Sequence, residues 1–268
     1  VACRDSSGDS GTGPSAELTA SVGALSRDEA SATLDALTGP TLLAPLGTGN
    51  GTPCVTPSSA TDSDGDGVPD DATYIFTAPP CRFTGYRGGT LDLVGQLRLQ
   101  DPAPAAAGFG YNATLVALRA TFTPPGDNPA TYSVTRNGTR VLTGGVTGLE
   151  LTVDLQVVRS FSGLADAAVD ERWTARFAPE TPLQINQPLP SGTLDIAGTI
   201  AWTRGAESLD LTVTTPTPLH YNAACTEDAR RIDAGELRAA GTFEGFDGYV
   251  RVRWSGCGND PEIRFVPA

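Results

Sequence analysis

From Leu149 to Val157 the chain alternates strictly: Leu149, Leu151, Val153, Leu155 and Val157 are apolar, and Glu150, Thr152, Asp154 and Gln156 between them are polar. Successive side chains of a β-strand point to opposite faces, so a period of two suits a strand with one face in a core and the other in water. The same period recurs over 91–99, 116–122, 132–141, 173–177, 194–202, 209–213, 237–243, 250–254 and 263–265. Asn137-Gly138 reads as a type I′ hairpin turn between Val134 and Val141. About ten half-buried strands punctuated by turn residues predict a mainly β fold, either an antiparallel β-sandwich or a curled β-meander. Helical signals are confined to the start. Ser26-Arg27-Asp28-Glu29 reads as a capping box, with Ala30, Leu34 and Leu37 on one face and Gly39-Pro40 as the stop. Residues 15–25 read as an earlier, weaker helix. The expected organisation is a flexible tether over 1–14, a helical segment over 15–45, a long loop over 46–80 and an antiparallel β domain over 81–268.

The formal net charge is −13, with a pI near 4.4. Such a field repels a phosphate backbone, so nucleic acid is excluded as a partner, and divalent cations or basic protein surfaces are favoured. Of the five cysteines, Cys54 and Cys81 bracket one loop and Cys225 and Cys257 another, which predicts two disulfides and an oxidising compartment. A cysteine metal site is the competing arrangement, but the sequence has no CxxC pair and His220 is its single histidine. Cys3 is left over. No apolar run approaches the roughly 20 residues of a membrane-spanning helix.

The segment Asp62-Ser63-Asp64-Gly65-Asp66-Gly67-Val68-Pro69-Asp70-Asp71 places carboxylates at every second position of a tight loop. Such carboxylates can converge on one hard cation, and close packing of like charge favours a bound cation over a bare acidic turn. Asp62, Asp64, Asp66 and Gly67 occupy the first, third, fifth and sixth positions of a calcium loop; the Val68 carbonyl would be the seventh, with Asp70 or Asp71 closing the shell. The twelfth position is Thr73 rather than Glu, unlike an EF-hand. The segment resembles a single thrombospondin type 3 repeat unit, as found in bacterial surface lipoproteins, and that resemblance implies bound calcium. Val1-Ala2-Cys3 in turn resembles the end of a bacterial lipoprotein signal, followed by a Gly/Ser/Asp-rich tether. It implies a lipid on Cys3, with membrane contact through that lipid; the alternative is cleavage ahead of Val1, leaving Cys3 unmodified.

Catalytic signals are weak. Gly8-Asp9-Ser10-Gly11 is similar to a serine-protease nucleophile segment but lies in the tether, and no motif couples His220 to a nucleophile. Asp170-Glu171 and Glu227-Asp228 read as solvated acids, and Trp173, Trp202 and Trp254 as core-facing strand residues. The expected function is therefore a non-enzymatic extrinsic envelope protein, periplasmic or on the cell surface. It would be structural or binding in role, an accessory subunit docked on a larger membrane complex. The alternatives are a carbohydrate-binding or adhesion module, and a hydrolase whose acids cannot be told from surface charge.

Overall fold

A computed structural model describes residues 13–37, 58, 61–84, 89–126, 130–163, 165–225 and 231–268. One helix, α1 (Ala16–Leu37), precedes eleven strands: β1 (Asp71–Thr84), β2 (Thr90–Gln100), β3 (Tyr111–Thr123), β4 (Tyr132–Gly145), β5 (Gly148–Phe161), β6 (Ala167–Pro179), β7 (Gly192–Arg204), β8 (Glu207–Tyr221), β9 (Ile232–Phe243), β10 (Phe246–Ser255) and β11 (Glu262–Pro267). They form a single antiparallel sheet in which every strand pairs with its sequence neighbours, from β1 at one edge to β11 at the other. The fold is thus the meander rather than the sandwich.

Helix contacts show that the sheet curls. α1 packs on β5 and also on β9, β10 and β11. In a flat sheet β5 and β10 would lie about 24 Å apart, whereas a helix is about 10 Å across. The sheet must therefore wrap around α1, and its inner face holds the core. Along β5 the alternating residues Leu149 to Val157 are all buried, and Trp173, Phe177, Leu194, Ile196, Leu219, Leu237, Val250 and Trp254 continue that face across the later strands. Trp202 is half-buried against the same core.

Three local expectations are corrected. The helix begins at Ala16, with the Ser15 hydroxyl capping the Leu18 amide at 3.2 Å; Ser26 lies inside it and donates to the Val22 carbonyl at 2.9 Å. That bond lets a buried serine tolerate the helix interior, so the capping-box pattern carries no boundary here. The sheet begins at Asp71, inside the segment expected to be loop, because Tyr74, Ile75 and Phe76 lack the alternation that marks the other strands. Finally, Asn137-Gly138 lies within β4, whose turn into β5 comes at Val146-Thr147. The Asn137 side chain accepts the Ala117 amide at 2.7 Å, beside the irregularity between Leu115 and Leu118 in the β3–β4 register. The pair thus serves a bend in the sheet. Cys3, Cys54 and Gly39-Pro40 lie outside the described residues.

Candidate metal centre

The acidic segment runs into β1, at the end of the curled sheet where α1 terminates. Its backbone is fixed by its own side chains. Asp62 accepts the amides of Gly65 at 2.9 Å and Gly67 at 3.0 Å, and Asp64 accepts that of Asp66 at 3.1 Å. Asp66 accepts the amides of Val68 at 2.8 Å and Gly108, in the β2–β3 connection, at 3.0 Å. From the β6–β7 connection, the Asn186 side chain donates to the Gly65 carbonyl at 3.0 Å. Gly67 has φ +92°, which favours glycine, and a Cβ there would come within 2.9 Å of the Asn186 side-chain oxygen and push that side chain aside.

This folding brings Asp62, Asp64 and Asp66 together: one carboxylate oxygen from each lies within 4.8 Å of the other two. Asp70 and Asp71 are held elsewhere. Asp70 accepts the Ser63 amide at 2.9 Å and hydroxyl at 2.6 Å, bonds that lower its pKa. Asp71 forms a two-pronged pair with Arg98 at 2.8 and 2.6 Å, which likewise holds its carboxyl below the usual range. Val68 is buried, and its amide serves Asp66.

A fourth acid lies near enough for its charge to act on Asp64, outside the converging three. Asp101, just beyond β2, is 8% exposed and accepts the Ala103 amide at 2.8 Å through one oxygen. Its other oxygen, and Oδ2 of Asp64, are buried with no hydrogen-bond donor. Burial raises the Asp64 pKa above the ordinary carboxylate value, and the charges of Asp66, Asp101 and Asp62 add to the rise against one backbone bond that lowers it. Buried carboxylate oxygens almost always have a partner. A hard cation supplies one, and three converging carboxylates on a loop suit the flexible oxygen shell of calcium better than the strict octahedron of magnesium. Asp101 gave no signal in the sequence, since it lies 35 residues beyond Asp66 and only the β1–β2 pairing brings it back.

Two other polar groups stand apart from the loop. On the inner face, Glu29 of α1 is paired with Arg159 of β5, and Glu171 of β6 is 2% exposed rather than solvated. Burial pushes the Glu171 carboxyl up to about 8, and the Glu29 carboxylate beside it adds to the rise. The strand period carries it there, because position 171 shares the inner face with the buried Val169 and Trp173. At the loop end, His220 bridges Asp233 at 2.6 Å and Glu180 at 3.0 Å, which raises its pKa. The Cys225–Cys257 disulfide lies beside it, as the spacing predicts. Cys81 is buried on β1. Among the described residues no helix is long and apolar enough to cross a membrane. Compared with known proteins, the chain matches no family model, no curated protein and no solved structure at significant similarity.

Proposed function

We propose that this chain is a non-enzymatic extrinsic protein of a bacterial envelope, held by a lipid on Cys3, whose acidic loop takes up one calcium ion. The ion's work is mechanical. Asp66 reaches Gly108 and Asn186 reaches Gly65, so a cation among Asp62, Asp64 and Asp66, with the Asp101 charge nearby, would stitch the segment before β1 to the β2–β3 and β6–β7 connections. The observation that carries this reading is the pair of donorless buried oxygens on Asp64 and Asp101. The disulfide supports an oxidising compartment, and the acidic surface favours a basic face on a larger membrane complex as docking partner. Burial of Trp173 and Trp254 counts against a tryptophan platform for carbohydrate.

Calorimetric titration of the chelator-treated protein tests it. We expect a one-to-one calcium isotherm, abolished in the Asp64→Asn/Asp101→Asn double variant. We also expect chelation to speed proteolysis within 61–70 while leaving the sheet's circular dichroism unchanged. No heat and unchanged proteolysis would overturn the proposal.

A further inference from the structure

The two ends of the curled sheet are finished differently. At the end where α1 terminates, the apolar inner-face residues Leu99, Tyr111, Leu142, Leu149 and Phe177 are all buried. The opposite end carries the last residues of β1, β3, β5, β7 and β9, together with the start of α1, where Ser15 binds Glu244 through its amide at 2.7 Å and its hydroxyl at 3.0 Å. There the register aligns Phe83, Leu91, Phe122, Tyr132 and Phe161 side by side across β1 to β5. The row is about 19 Å wide, at four strand spacings. It is open to solvent: Leu91 is 36% exposed, Phe122 46% and Phe161 40%, and Phe246 at the β9–β10 turn is 36% exposed. The Tyr132 and Phe161 rings lie 4.5 Å apart, so the row is a packed rim rather than scattered side chains.

We propose that this apolar rim rests in the head-group layer of a bilayer with neutral lipids, fixing the molecule upright with its acidic loop away from the membrane. The proposal deepens the anchored-envelope reading and rests on it. Cys3 is twelve residues ahead of Ser15, so a lipid on Cys3 is tethered from this end of the molecule, with a reach of at most about 40 Å. Aromatic rings suit the interface between head groups and acyl chains. Charge selects the lipid: Glu17, Glu207, Glu244 and Asp247 are exposed at this end and would be repelled by an anionic surface.

Three measurements test it. Intact mass of the native protein reports the lipid on Cys3. Deuterium exchange of the native protein on phosphatidylcholine vesicles should show protection at 90–92, 121–123, 132–134 and 243–247, and none at 61–70. Flotation of the Cys3→Ser chain with the same vesicles should show weak binding that falls roughly tenfold in Phe122→Ser/Phe161→Ser. It should be unchanged in the outer-face control Ile75→Ser/Val116→Ser, with melting temperatures confirming that each variant folds. A lipid on Cys3 with no protection of the rim, or equal flotation of rim and control variants, overturns the proposal. An unmodified Cys3 would sink the anchoring reading while the flotation series still decides the rim.

Discussion

At Glu171, ionisation would place a second carboxylate beside Glu29 in the interior, and the proton is retained up to about pH 8. The charged groups around it include Glu29 on α1, Arg159 on β5, and Arg140 and Arg136 on β4; Arg159 and Arg140 oppose the rise without cancelling it. The unfolded chain releases this proton near 4.5, so between 4.5 and about 8 the folded state holds the extra proton and stability falls as pH rises. Glu171→Gln should flatten that part of the curve and raise the melting temperature at pH 8, read by thermal denaturation across the window. His220 acts with the same sign. Its raised pKa makes its bonds to Asp233 and Glu180 strongest below the unfolded value of about 6.5, and their contribution is lost as pH rises through the folded value. His220→Gln should remove this second component. At this scale the acidic loop was legible because its ligands are local in sequence. Asp101 and Glu171 were not, because their neighbours arrive from other strands.

The helix shows how an element depends on surfaces that its own sequence does not contain. Its buried face sets Ser26, Glu29 and Thr33 among Ala30, Leu34 and Leu37, so polar residues interrupt the apolar stripe that marked it. Thr33 donates to the Glu29 carbonyl at 2.8 Å, and Glu29 pairs with Arg159. Gly23 sits directly under β11: a Cβ there would fall 2.3 Å from Cγ2 of Ile263. We expect Gly23→Val to lower the melting temperature and to be partly rescued by Ile263→Ala, a coupling that a double-mutant cycle would quantify. Ser15→Ala removes the cap on the Leu18 amide and should cost about 1 kcal/mol in denaturant titrations. The strands were readable in advance because period two survives wherever one face meets water. β1 escaped notice because Thr73 to Phe76 give no such contrast, and the Asn137-Gly138 pair misled because a bend within a strand demands the same residues as a turn.

For the whole molecule, the one described disulfide joins the β8–β9 connection to the β10–β11 connection across 32 residues. Closing a loop of that length stabilises by about 3–4 kcal/mol in the chain-entropy view, so Cys225→Ser/Cys257→Ser should lower stability by that order in urea titrations. The antiparallel β class followed from the strand patterns, which left a sandwich and a curled meander both open. The helix contacts decide between them, since only the helix reveals which strands come round to meet. That meeting also sets a timetable. Each strand needs only its predecessor, so a chain delivered N-terminus first can add to the sheet as it emerges. The helix is delivered before the strands, yet part of its bed, β9 to β11, follows all the others. The helix therefore waits for these strands, and a chain cut short before β9 would hold a growing sheet around a helix with only β5 to pack on. Arrival of β9 to β11 is what seats it.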